Sequence, residues 1–160
     1  MRRLAPGEQL IGLGGLALFA VSFLDWLGGR ISTLRVNGVN EATGPYHVTG
    51  NAWSYPVTLL AVLLGVSMLV YVGFRVLGLD PPDTDTPGRV LTVLGVLAFA
   101  LIAIKLIAGA DVTTATFGIP DISGLGAVQI TVTKTREAGI YAGVVASAAL
   151  ALGGYLTLRR

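Results

Sequence analysis

The chain has 160 residues, 53% of them hydrophobic and 12% charged, with a formal net charge of +2 and no cysteine. A soluble domain carries about twice that charged fraction, so the composition points to a membrane protein. The near-neutral balance excludes a basic nucleic-acid surface, and the missing thiols exclude disulfides, thiolate nucleophiles, iron–sulfur clusters and cysteine zinc sites.

Residues 1–7 form a short basic tail with Arg2 and Arg3, and residues 8–27 are the first apolar block of membrane-spanning length. Paired arginines before an apolar run can open a secretory signal. Here the run is long, Asp25 and Trp26 stand near its end, and no small-x-small cleavage pattern follows, so it reads as a retained span. Residues 28–52 are a polar loop. Within it Asn37-Gly38 separates the strand-like runs 31–36 and 39–43, and Asn-Gly tolerates positive φ at both positions, which predicts a hairpin. The single histidine, His47, has no cysteine and no carboxylate cluster near it in sequence, so a solvated residue is expected rather than a metal ligand or base.

Residues 53–77 are the second span, with Asn51 or Ser54 as its cap, Pro56 in its first turn, and Trp53 and Tyr55 as interfacial anchors. Ala61, Gly65 and Gly73 give it a thin stripe of small residues. Residues 78–88 are a rigid acidic turn. Its Asp80, Asp83 and Asp85 lack the glycine and distal glutamate of a calcium loop, so they are expected to be solvated. Thr86-Pro87 then reads as the cap and first helical residue of the next helix, whose span is residues 89–110. In the second long loop, residues 111–135, Val128, Ile130 and Val132 alternate with Gln129, Thr131 and Thr133, a period of two that predicts a strand.

Residues 136–158 are the fourth span, with Thr135 as its cap. Gly139, Gly143, Ser147 and Ala151 recur every fourth residue and so share one helical stripe, widened by Ala142, Ala146, Ala149 and Gly153. Lipid supplies little hydrophobic force between helices, so close backbone approach has to provide the packing, and this slim helix is expected against neighbours.

The expected fold is an all-α membrane protein over residues 1–160. It is a four-transmembrane-helix bundle with a small antiparallel β-sheet formed by the two outer loops. The Asn37-Gly38 hairpin supplies two strands and residues 128–134 a third, because a lone hairpin is marginal in water. Four spans put both termini on one side. Arg2, Arg3, Arg75, Arg89, Arg159 and Arg160 flank that face, against Arg30, Arg35, Lys134 and Arg136 on the other, which places both termini in the cytoplasm of a bacterial plasma membrane.

Several phrases carry a resemblance: Phe23-Leu24-Asp25-Trp26 closing the first helix, Ala52-Trp53-Ser54 opening the second, Leu91-Thr92-Val93-Leu94-Gly95 in the third, and Gly139-Ile140-Tyr141-Ala142-Gly143 through Gly153-Gly154-Tyr155 in the fourth. In these the chain resembles a group of small four-span membrane proteins of high-GC Gram-positive bacteria. Asp25 stands where that group often has proline. The resemblance covers the four helices, leaves out the long loops, and implies a topology and an actinobacterial source with no activity attached. In shape alone, four helices with a sheet built from two outer loops also resemble the claudin-type fold, whose cysteine signature is absent.

Asp25 and Lys105 are read as the charges inside the spans, both a few residues from the outer end of their helices. Intramembrane ionisable groups suggest function, but an ion path would want polar groups at mid-depth, so a structural ion pair is the preferred reading. No phosphate loop, serine triad or His-Glu motif occurs. The expectation is a non-catalytic accessory or assembly subunit with no cofactor. Its partners would be membrane lipids and a protein or further copies of itself, met through the outer loops at Val36, Asn37, Gly38, Val128, Ile130 and Val132. The alternative is a small-ligand or lipid-binding protein or channel with a groove between helices.

Overall fold

The computed structural model describes residues 4–36, 39–41, 47–79, 87–109, 112–117 and 128–159. Among these are four helices and a five-stranded antiparallel sheet. Helix α1 spans Pro6–Val21, α2 Pro56–Val76, α3 Pro87–Ala108 and α4 Ala138–Leu158. The strands are β1 (Asp25–Val36), β2 (Val39–Glu41), β3 (His47–Asn51), β4 (Val112–Phe117) and β5 (Val128–Arg136). The expected positions Asn37, Gly38, Asp80, Asp83 and Asp85 lie outside the described residues.

Three helices are long and apolar enough to cross a membrane: Pro56–Val76, Gly88–Ala108 and Ala138–Leu158. Helix α1 has 16 residues, a length of about 24 Å at the usual rise per residue. It starts with Pro6 in the first turn, and the Glu8 carboxylate accepts the Ala5 N–H at 2.8 Å. It stops where the buried Ser22 turns its hydroxyl back onto the Phe19 carbonyl at 2.6 Å. The first apolar block, residues 8–27, is therefore a helix followed by a turn and the start of β1. Asp25, Trp26 and Leu27 belong to the sheet.

Helix α4 packs against both α1 and α3, and α2 closes the ring between α1 and α3. Near-contact of backbones makes the α4 seams. A Cβ on Gly153 would stand 2.8 Å from the Gly7 carbonyl of α1, and one on Gly154 would stand 2.7 Å from the Leu91 carbonyl of α3. The adjoining Gly153 and Gly154 thus serve two neighbours, as expected of a helix held by close approach. Ile11, Leu18, Met68, Ile102, Ile140 and Leu150 fill the interior and are fully buried. Leu13, Leu16, Val93, Ile107 and Val145 point outward with more than half their surface exposed. An apolar exterior around a packed core is what a bundle solvated by lipid requires.

The sheet runs β2-β1-β5-β4, with β3 also paired to β1. β1 and β5 pair from Leu27↔Arg136 to Val36↔Val128, so the α1–α2 and α3–α4 connections form one body. The expected strand at 128–134 is present as β5; β3 and β4 enlarge the sheet beyond the three strands read from sequence. Two backbone bonds tie the sheet to the helices: Ala52 N–H to the Ser22 carbonyl at 3.2 Å and Glu137 N–H to the Trp26 carbonyl at 3.0 Å. The caps differ from expectation. Asn51 caps the short 3₁₀ turn Ala52–Ser54, Tyr55 is the N-cap of α2, and Glu137 rather than Thr135 precedes α4. Thr135 is kept in β5 by the ladder to Gly28 and gives its hydroxyl to the Glu137 carboxylate at 2.8 Å.

Candidate functional site

The small-residue stripe of α4 divides between two neighbours. Its first half receives a side chain from the sheet. Trp26 is fully buried, and its indole N–H donates to the Val21 carbonyl at 2.8 Å. A Cβ on Gly139 would stand 2.5 Å from Trp26 Cδ1, and one on Gly143 would stand 2.5 Å from Trp26 Cη2. Further along, Ser147 is buried with its hydroxyl on the Val144 carbonyl, and Ala151 backs onto Gly95 of α3. The fourfold spacing was legible as a surface for close approach. That a tryptophan from β1 fills part of it was not.

Asp25 and Lys105 are not brought together. Asp25 is exposed at the start of β1, and among the described residues no ion pair joins the two. The physical reason lies in the end of α1. The chain leaves the helix before Asp25, so the carboxylate lies in the sheet instead of facing α3 across the bundle. Lys105 instead sets its ammonium 4.5 Å from the centre of the Tyr55 ring, a cation–π contact.

Lys105 and Tyr55 line a cleft of about 320 Å³ where the sheet meets the ends of α2 and α3. Leu27, Gly28 and Gly29 of β1, Thr49 of β3, Lys134 of β5, and Ala108 with Gly109 complete its walls. Beside it Arg136 reaches the Ile107 carbonyl at 3.4 Å, at the C-terminal end of α3 where a cation complements the helix dipole. Neither Lys105 nor Lys134 is ion-paired among the described residues.

Two contacts join residues that no sequence motif pairs. Arg75 of α2 meets Glu8 of α1 at 3.1 Å, with side-chain exposures of 28% and 12%. The signal was available: in antiparallel neighbours the start of one span and the end of the next share a depth. At the sheet end, His47 Nε2 lies 3.5 Å from Glu137 Oε1. The two residues are far apart in sequence, and the β1–β3 and β1–β5 ladders bring them to one place. Phe19, Phe23 and Trp53 form an exposed aromatic cluster at the same end of the bundle, with the Trp53 indole N–H on the Ser22 hydroxyl at 3.0 Å.

Of the residues expected to meet a partner, the described Val36, Val128, Ile130 and Val132 fall in the part of the sheet away from the helices. Val36 pairs with Val39 and Val128, Ile130 with Leu34 and Ala115, and Val132 with Ile31 and Thr113. β4 pairs with β5 on one side and, among the described residues, with no strand on the other. Its sequence, VTTATF, has no charge, proline or glycine. Comparison with known proteins adds nothing to this: no family model matches the chain, and neither a curated protein nor a solved structure does.

Proposed function

We propose that this protein is a non-catalytic, four-span membrane protein that acts as an assembly or accessory subunit, adding a strand from a partner or a second copy to its sheet. The observation that carries the reading is β4. Edge strands of natural sheets are blunted by charge, proline, bulges or short length. β4 has six uncharged residues, five of them of high β-propensity, and a vacant second side among the described residues. An edge of that kind suits strand addition, in which main-chain hydrogen bonds supply the affinity.

Four spans are supported by α1 itself. It packs in the same ring as the three long helices, and Leu13, Leu16 and Phe19 turn outward from it, where lipid accommodates them without cost. Its shorter helix is continued by apolar residues Phe23 and Leu24, and the aromatic cluster with Trp53 suits a membrane interface. Arg75, Arg89 and Arg159 gather at the end away from the sheet, which supports cytoplasmic termini.

The test is a pair of charges on the edge, Thr114→Lys with Thr116→Lys. In mild detergent, light scattering on the eluted protein is expected to give a smaller particle than wild type, with helical circular dichroism unchanged. A particle of unchanged mass means that β4 does not carry assembly.

A further inference from the structure

We infer that the cleft between the sheet and the ends of α2 and α3 is a binding site for a phosphate ester, held by the ammonium groups of Lys105 and Lys134.

Two lysines from distant parts of the chain line one cleft of about 320 Å³, a size at which pockets begin to take small ligands. Neither is ion-paired among the described residues. Arg136 reaches the Ile107 carbonyl, and Lys105 stands in the last turn of α3 where the helix dipole favours a cation, but neither Lys105 nor Lys134 has a hydrogen-bond acceptor among the described residues. Lys105 stands one turn before the end of an apolar helix, and an ammonium at that depth without a counter-anion is costly. Tyr55 holds it by the ring face, which fixes the lysine and leaves the N–H groups turned away from the ring to donate. The Glu137 carboxylate, 2.8 Å from where a Cβ on Gly28 would stand, is engaged by the Thr135 hydroxyl and lies beside His47. Two compact ammonium groups in one cleft suit an anion with several acceptor oxygens, and a phosphate ester offers them.

One phosphate chemistry has two sources here. If the helices span a membrane, the cleft lies within about 5 Å of the end of α3, at headgroup depth, and an anionic phospholipid reaches it. A soluble phosphate ester reaches it from the aqueous side. The site itself is independent of strand addition at β4.

The experiment uses the full chain in uncharged detergent after exhaustive detergent exchange. Native mass spectrometry follows phosphatidylglycerol against phosphatidylcholine, and calorimetry follows glycerol 3-phosphate. Saturable binding of one phosphatidylglycerol, weakened about tenfold by Lys134→Gln and further by Lys105→Gln with Lys134→Gln, supports a lipid phosphate. The same sensitivity with glycerol 3-phosphate supports a soluble ester. Lys134 is exposed on β5, so its variant keeps the fold even if the double variant does not. The inference is overturned if neither probe binds the wild type, or if Lys134→Gln binds as well as wild type. An equal loss on Arg159→Gln, at the other end of the bundle, also overturns it, because the attraction is then general.

Discussion

The indole of Trp26 occupies the space that any side chain at position 143 would need: a Cβ there would lie 2.5 Å from Cη2. This contact joins sheet to bundle, because Trp26 also accepts the Glu137 N–H that leads into α4. Gly143→Ala is expected to lower stability by about 1–3 kcal/mol, since neither the buried ring nor the helix backbone can move aside cheaply. Gly73→Ala is the matched control. It faces open space in α2, and removing a helical glycine there is expected to raise stability by about 0.5–1 kcal/mol. Melting in detergent, followed by tryptophan fluorescence, compares the two. Equal effects at both positions would remove the niche from the account.

Glu8 and Arg75 tie α1 to α2 at the end away from the sheet. Removing one partner of a largely desolvated pair costs more than removing both. Glu8→Gln and Arg75→Met are each expected to destabilise, and the double variant to be more stable than their sum by about 1–3 kcal/mol. A double-mutant cycle on melting free energies measures it, and strict additivity would mean that the contact contributes nothing.

For Asp25 and Lys105 the expectation is the reverse. The two are not paired, so Asp25→Asn and Lys105→Met are expected to add within about 0.5 kcal/mol. Coupling well beyond that bound would show that they meet in the membrane.

Orientation is tested directly, since the chain has no cysteine. Arg3→Cys and Asn40→Cys are expected to label from opposite sides of the membrane, Asn40→Cys in intact cells. Labelling of Asn40→Cys only in broken cells would reverse the topology.

The three long helices and β5 are legible in the sequence because each depends on local pattern: an apolar block of spanning length, or strict alternation as at Val128, Ile130 and Val132. The edge strand β4 is not legible in that way. Its threonines blur the alternation, and it becomes a strand by pairing with β5 from Val112↔Thr133 to Phe117↔Val128. β3 likewise depends on β1.

Hydropathy alone also determined that the chain is built for lipid, and the glycine spacing that α4 would be closely approached. It could not determine where α1 stops, because Phe23, Leu24, Trp26 and Leu27 are as apolar as the helix before them. That end is decided by tertiary structure. Ser22 folds back on the helix, Trp26 is accepted between Gly139 and Gly143, and β1 finds β3 and β5. The cleft has the same origin. Tyr55, Lys105 and Lys134 belong to three elements, and no spacing along the chain encodes their meeting; only the β1–β5 ladder, packed against the ends of α2 and α3, brings the two ammonium groups to one place.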